Sequence, residues 1–275
     1  MTAVEIRKVT KVFNAGRPDA VPALVEIDLT IEPGEFVSLI GPSGCGKSTQ
    51  LRLIANLTEP TSGEVLVNGK PARRARLDQD YGMAFQQAGL FEWRTVAKNV
   101  ELPLELKGWD RARRRTRALE MLELVKLPEF ADHFPWQLSG GMQQRVAIAR
   151  ALAAHPPLLL MDEPFGALDE MTREHMQAEL LRICAETSTT VVFVTHSIPE
   201  AVYLSTRVVV MSPRPGRITD VVDVDLGPAR DLETREADAF FKKVTEVREA
   251  LRGAGVAPGV EGTVHGDVVP GIEDR

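Results

Sequence analysis

The sequence predicts an α/β fold built on a mostly parallel sheet covered on both faces. Three observations carry this reading. Short, mainly apolar runs of β-branched and aliphatic residues recur along the chain, helical segments lie between them, and a glycine-rich turn follows one such run directly and opens a helix. Runs that are apolar at every position, not at alternate ones, belong to strands buried on both faces, the usual condition of a parallel sheet.

The runs, in chain order, are EFVSLI (Glu35–Ile40), YGMAF (Tyr81–Phe85), LLLMD (Leu158–Asp162), TVVFVT (Thr190–Thr195) and RVVVM (Arg207–Met211). Helical segments include KSTQLRLIANL and MTREHMQAELLRICAET. In the second, Met176, Leu180, Ile183 and Cys184 share one face, so Cys184 reads as a small core residue. From about Ala88 to His155 the chain looks helical apart from its proline breaks, with RARRRTRALEMLELV the clearest helix, and this stretch reads as a helical subdomain inserted into the α/β core. TREADAFFKKVTEVREAL is amphipathic at helical spacing, and the glycine- and proline-rich segment after it, without periodicity, is expected to be a flexible tail.

Bulk composition narrows the function classes. A chain of 275 residues, 44% hydrophobic and 26% charged, fits one large domain with a subdomain or an appendage. A formal net charge of -6 counts against a general nucleic-acid binder. Two cysteines, Cys45 and Cys184, are too few for a disulfide framework and lack zinc-ligand spacing, which points to a reducing compartment. No apolar run reaches the ~18–20 residues of a membrane span. The N-terminus MTAVEIRKVTKVF has no apolar signal core, so the expected location is cytoplasmic, with docking on a membrane complex open.

GPSGCGKST, Gly41 to Thr49, matches G-x-x-x-x-G-K-[ST] directly after the strand EFVSLI and directly before a helix, the context the motif requires. Its glycines let successive backbone N–H groups curl around phosphate oxygens, and the helix behind aims its positive end at them. The nucleotide-binding candidates are therefore Gly41, Pro42, Ser43, Gly44, Cys45, Gly46, Lys47, Ser48 and Thr49, with Lys47 reaching the β- and γ-phosphates and the Ser48 hydroxyl binding Mg²⁺. Cys45 occupies a free position of the motif, and a bulky thiol reagent there is expected to block nucleotide binding.

LLLMDEPFGALD places Asp162 and Glu163 at the end of an apolar strand, where ligands bind in open α/β sheets. Asp162 is placed to hold Mg²⁺ and Glu163 to polarise the attacking water. His196 emerges at the end of TVVFVT, where it could meet the γ-phosphate or the water. Gln86, after YGMAF, is likewise at a strand end and could reach metal or water; Gln87 competes with it, and spacing does not separate the two.

LSGGMQQR, Leu138 to Arg145, opens a helix on a serine and two glycines, although glycine costs a helix about 1 kcal/mol relative to alanine. Together with the phosphate loop upstream and the acidic strand end downstream, this stretch resembles the signature of an ABC ATPase, the nucleotide-binding subunit of an ATP-binding cassette transporter. The resemblance covers Val4 to about Asp225, and adds the Q-loop at Gln86, the ALD turn at Ala167–Asp169 and the switch histidine His196. LFEWRTVAKNVELPLELKG, MDEPFGALDEMTR and VVVMSPRPGRI look like the subfamily serving nitrate, sulfonate and taurine importers. Two departures are visible: Glu92 where proline is frequent before the tryptophan, and Asn56 where glycine is frequent.

The resemblance implies a P-loop NTPase core with a mostly parallel sheet, an antiparallel N-terminal β portion and an inserted helical subdomain. It implies a cassette over residues 1–230 with the helical part at about 88–155, a C-terminal helix over 231–252 and the tail at 253–275. It implies an ATPase using ATP and Mg²⁺, with Lys47, Gln86, Glu163 and His196 catalytic and Ser48, Gln86 and Asp162 at the metal. Phe13 falls where an aromatic stacks on adenine, and Asp169 belongs to the nucleotide site. Ser139, Gly140 and Gly141 would meet a phosphate held by the Lys47 of another copy, in a homodimer or a pair of homologous cassettes. The implied partners are two transmembrane permease subunits and, indirectly, a solute-binding protein, with the chain peripheral on the inner face of the membrane and no nucleic acid engaged. Trp93 and Arg94 are candidates for the membrane-subunit contact. The arginines of RARRRTR read either as a lipid-headgroup patch or as a solvated helix face. A small-molecule kinase sharing the phosphate loop has no use for LSGGMQQR, and chromosome-organising relatives separate the two motifs by a long coiled coil.

Overall fold

The computed structural model describes residues 2–227, 230–231 and 233–255. The chain begins with β1 (Val4–Phe13), β2 (Val21–Ile31), β3 (Phe36–Ile40), α1 (Lys47–Ile54), β4 (Ser62–Val67), β5 (Lys70–Pro71), α2 (Ala72–Leu77) and β6 (Tyr81–Ala84). Three helices follow, α3 (Val96–Leu106), α4 (Arg111–Leu124) and α5 (Gly140–Leu152). The remainder alternates β7 (Leu158–Asp162), α6 (Glu170–Thr187), β8 (Thr190–Val194), α7 (Ile198–Leu204) and β9 (Arg207–Met211), then closes with β10 (Ile218–Asp223) and α8 (Asp238–Ala254).

The strands form two sheets. β2-β1-β4-β5 is antiparallel, and β10-β9-β3-β8-β7-β6 is parallel except for β10, which runs against β9. Each of the apolar runs read from sequence is a strand of the second sheet. Their continuous hydrophobicity has a direct structural cause. Phe36, Leu159, Met161, Val191, Phe193, Val208 and Val210 point into a core shared with α3 to α8. Their neighbours Val37, Leu39, Leu158, Leu160, Val192, Val194 and Val209 point into a second core under α1 and the antiparallel sheet. Both faces are covered, so apolar residues fill both parities, and a polar exception such as Ser38 is buried with a hydrogen-bond partner, the Ser205 hydroxyl.

The stretch between β6 and β7 is helical. Pro103 does not break α3, which continues to Leu106; it has no N–H to offer the Asn99 carbonyl, and the burial of Val100 and Leu104 outweighs that loss. Pro128 and Pro135 instead open single 3₁₀ turns, Pro128–Phe130 and Pro135–Gln137. The C-terminal helix starts at Asp238 and runs to Ala254, burying Phe240, Val244 and Val247. Residues 256–275, most of the expected tail, lie outside the described residues. Among the described residues no helix is long and apolar enough to cross a membrane.

Four arginines of α4 are engaged within the chain. Arg113 lies 3.8 Å from the centre of the Trp109 ring, Arg115 pairs with Asp132 at 2.8 Å, and Arg117 donates to the Ala153 carbonyl at 3.1 Å. Arg114 sits 4.0 Å from Glu101. These internal partners favour the helix-face reading over a free cationic patch.

Candidate functional site

A cleft of about 500 Å³ lies between the two sheets, at the carboxyl end of the parallel strands. Its floor is the turn between β3 and α1. Gly46 caps α1 with φ of 105°, and a Cβ there would stand 2.6 Å from Leu24 Cδ2, so both backbone and space require glycine. Glycine has no side-chain oxygen, so the first-turn N–H groups of α1 are left uncapped. The Lys47 ammonium is held at the loop by the carbonyls of Gly41 at 2.8 Å and Pro42 at 3.1 Å. An uncapped helix start with an ammonium beside it is an anion cradle.

The acidic end is assembled from three strand ends. Asp162, buried at the end of β7, accepts from the Ser48 hydroxyl at 2.8 Å. Burial pushes its carboxyl above the usual carboxylate range, the Ser48 hydrogen bond opposing that rise. The next residue, Glu163, leaves the strand with φ of 47°, a left-handed conformation uncommon for a glutamate, and its N–H donates to the Val194 carbonyl at 2.9 Å. That turn sets its carboxylate between two neighbours: Gln86 Nε2 donates to Glu163 Oε2 at 3.3 Å, and His196 Nδ1 stands 3.2 Å from the same oxygen. A carboxylate oxygen accepts here, so Nδ1 carries the proton and Nε2 is left for another partner. Of the two glutamines the spacing left open, Gln86 lines the cleft. An anion cradle, a pair of hard oxygens on Ser48 and Asp162, and a carboxylate flanked by an amide and an imidazole are what hydrolysis of a phosphoanhydride needs.

Of the residues singled out from the sequence, Phe13, Gly41, Ser43, Gly44, Gly46, Lys47, Ser48, Thr49, Gln86, Glu163 and His196 line this one cleft, with Asp162 directly behind Ser48. Phe13 is 41% exposed at the end of β1, so it is no core residue. Cys45 corrects an expectation. Its side chain is fully buried in the core beneath the antiparallel sheet, where its Sγ accepts from Lys47 Nζ at 3.8 Å, and it is closed to a bulky thiol reagent. Ser139, Gly140, Gly141 and Asp169 do not line the cleft of their own chain. Ser139 caps α5 and Asp169 caps α6, accepting from the Met142 and Thr172 N–H groups at 3.3 and 3.0 Å.

Sequence reasoning missed several features. Val21, Ala23 and Arg214 also line the cleft. Arg214 comes from SPRPGR, the turn after β9, and its Nε lies 3.4 Å from the Gly44 carbonyl. A signal was available there, since two prolines and a glycine mark a built turn. Asn99 is fully buried: its side-chain amide donates to the carbonyls of Phe91, Arg94 and Thr95, each at 3.1 Å, and its Oδ1 accepts from the Phe91 N–H at 2.8 Å. It thereby pins the turn that presents Trp93, which is 74% exposed, while Arg94 pairs with Glu105 at 2.9 Å. Nothing in the local sequence distinguishes Asn99 from a surface helix residue.

Comparison with known proteins agrees with this geometry. The family profile described as ABC transporter matches residues 24–166. A taurine import ATP-binding protein from Rhizobium johnstonii is 47% identical over 87% of this chain and 91% of its own length. A nitrate import ATP-binding protein from Synechocystis sp. is 44% identical over 91% of this chain and 95% of its own. A solved ATP-binding cassette, a dimer in a post-hydrolysis state bound to ADP and Pi, superposes with a TM-score of 0.75 at 40% identity, covering 81% of this chain and 99% of that one.

Proposed function

The chain belongs to the ABC transporter family as an ATP-binding cassette ATPase, and from that premise we propose that it dimerises around two ATP molecules and powers import of a small solute, of the nitrate, sulfonate or taurine kind, through separate transmembrane subunits. The observation that carries the dimer is the contrast between Gly140 and Gly141. A Cβ at Gly141 would meet the Ala167 carbonyl at 3.3 Å, a need met within the chain, whereas a Cβ at Gly140 would meet nothing within 4 Å. A glycine at a helix start with no internal reason for it is accounted for by something that approaches from outside, here the phosphate of an ATP on a second copy.

In this reading Gly41 to Thr49 wrap the phosphates with backbone N–H groups, Lys47 pairs with the β- and γ-phosphates, and Phe13 stacks on the adenine. The Ser48 and Asp162 oxygens suit Mg²⁺, a hard cation that takes one or two carboxylates and completes its shell with water and phosphate oxygens. When bound, Mg²⁺ neutralises charge on the β- and γ-phosphates. Glu163, oriented by Gln86 and His196, takes the proton of the attacking water, and the His196 Nε2, an acceptor while Nδ1 carries the proton, can accept a hydrogen bond from that water. Ser139 of the second copy keeps its O–H proton available, since its oxygen, not its hydrogen, caps α5.

The names of the relatives support import as the coupled work. The exposed Trp93 supports a docking surface for a membrane subunit and hence a peripheral place on the inner membrane face. The dimer is tested with Glu163→Gln: sedimentation or size exclusion should find a dimer with ATP and a monomer without it, and a monomer in both conditions would defeat the proposal. The solute is tested by uptake of labelled taurine and nitrate after deletion of the gene; unchanged uptake of both would defeat that part.

A further inference from the structure

A second polar network lies beside the cleft and ends at the turn that carries His196. Glu200 of α7 is 9% exposed, and both of its carboxylate oxygens accept hydrogen bonds, one from the Thr195 hydroxyl and the other from Gln177 Nε2 at 2.8 Å. Gln177 of α6 is 2% exposed, and its Oε1 accepts from Arg235 Nη2. A guanidinium cannot accept and a carboxylate cannot donate, so the amide between them has a single orientation. Arg235 stands in the 3₁₀ turn Glu233–Arg235 that leads into α8, its guanidinium stacked 3.7 Å from the centre of the Tyr203 ring. At the other end the Thr195 oxygen accepts the Ser197 N–H at 3.0 Å. The two residues that flank His196 are thus fastened to each other and, through Glu200 and Gln177, to the C-terminal segment.

We propose that Arg235 and Gln177 are positioning residues for His196, so that the C-terminal segment, through this buried chain, sets the place of the imidazole at Glu163. The physical reason is the shared carboxylate. Glu200 is buried, and without the Arg235-oriented amide the side-chain donor left to its carboxylate is the Thr195 hydroxyl beside His196, with Arg173 lining the same small cavity. The Tyr203 ring under the guanidinium, buried with Leu204 in the main core, supplies rigid footing for Arg235. The inference rests on His196 acting in hydrolysis as proposed above.

The test uses the full-length chain with MgATP. Arg235→Leu and Gln177→Leu should each lower kcat about tenfold with KM for ATP held within about twofold, the pattern of a misplaced group. Arg235→Lys, which can still donate to Gln177, should restore most of the rate. Val247→Ala, buried in α8 with no polar link to the turn, serves as the control for general destabilisation and should keep kcat within about twofold at a comparable loss of Tm. In protein labelled with ring-¹⁵N histidine, the His196 signal should move in Arg235→Leu and stay in Val247→Ala. A rate for Arg235→Leu no lower than that of Val247→Ala, or an unmoved His196 signal, would overturn the proposal. His196→Ala hydrolysing at the wild-type rate would instead remove the role of His196 itself, which separates the two failures.

Discussion

Two helix starts in this molecule look alike in sequence and behave differently in space. α1 opens after Gly44-Cys45-Gly46 and α5 after Ser139, on Gly140-Gly141; each leaves backbone N–H groups at a positive helix end. The α1 start faces a cleft that its own chain completes, with Lys47, Ser48, Asp162, Glu163 and His196 around it. The α5 start has no such surroundings: its serine and glycines lie outside that cleft, and a Cβ on its first glycine would meet nothing within 4 Å beyond its own helix. Under the proposed function the first is a whole anion site and the second half of one, so that the same local composition carries an activity in one place and a requirement for assembly in the other.

The largest expected effect breaks the complete half. Glu163→Gln should lower kcat by on the order of 10²- to 10⁴-fold while ATP still binds, because it removes the general base and leaves the cradle. Phosphate release and equilibrium nucleotide binding check the two parts, and near-normal turnover would remove Glu163 from its role. Next come two substitutions that set the helix starts against each other. Lys47→Ala should weaken ATP binding about 10- to 100-fold, the loss of a charge-assisted hydrogen bond. Ser139→Arg should leave binding to the isolated chain within about twofold yet abolish dimerisation and hydrolysis, since the arginine fills a surface meant for a partner. Equal loss of binding in both variants would erase the contrast between whole and half sites.

Smaller effects sharpen it. Gly140→Ala should raise stability by about 0.5–1 kcal/mol, because alanine is the better helix former and the site is open, while hydrolysis falls. Gly141→Ala should not gain that stability, since its Cβ would press on the Ala167 carbonyl at 3.3 Å. Thermal melts with parallel ATPase assays distinguish them, and full activity in Gly140→Ala would show that nothing approaches that face. The smallest effect is at Cys45: the folded protein should stay unlabelled by a bulky maleimide, as followed by mass spectrometry, and nucleotide binding should not change. Both cysteines, Cys45 and Cys184, are free and buried, and burial pushes the Cys184 thiol to about 12, so labelling should appear only on unfolding.

Much of the parallel sheet was legible because its strands are apolar on both parities, a pattern that survives without any knowledge of neighbours. The phosphate loop was legible for a similar reason, since its glycines, lysine and serine act through a contiguous backbone. The acidic end was legible as residue types at strand ends, and less so as geometry. Which of Gln86 and Gln87 lines the cleft depends on how the chain turns after β6 ends, and the left-handed turn at Glu163 is accompanied by the bond from its N–H to Val194 on β8. Asn99 and Gln177 were not legible at all, because a polar residue in an amphipathic helix reads as surface until the elements that bury it are in place. The burial of Cys45 was likewise not legible, since a free position in the phosphate-loop motif does not tell which way its side chain points.

The sequence by itself determined the alternation of strands and helices, the anion-binding turn and the identities of the acid, amide and imidazole groups, because each is set by residues adjacent in the chain. Only the tertiary structure decided which of those groups meet. Glu163, Gln86 and His196 are separated by 77 and 33 residues and come within 3.3 Å only because β6, β7 and β8 lie side by side and end together. The physical reason is that backbone chemistry acts locally, whereas the position of a side chain follows from strand order and packing, which are properties of the whole fold.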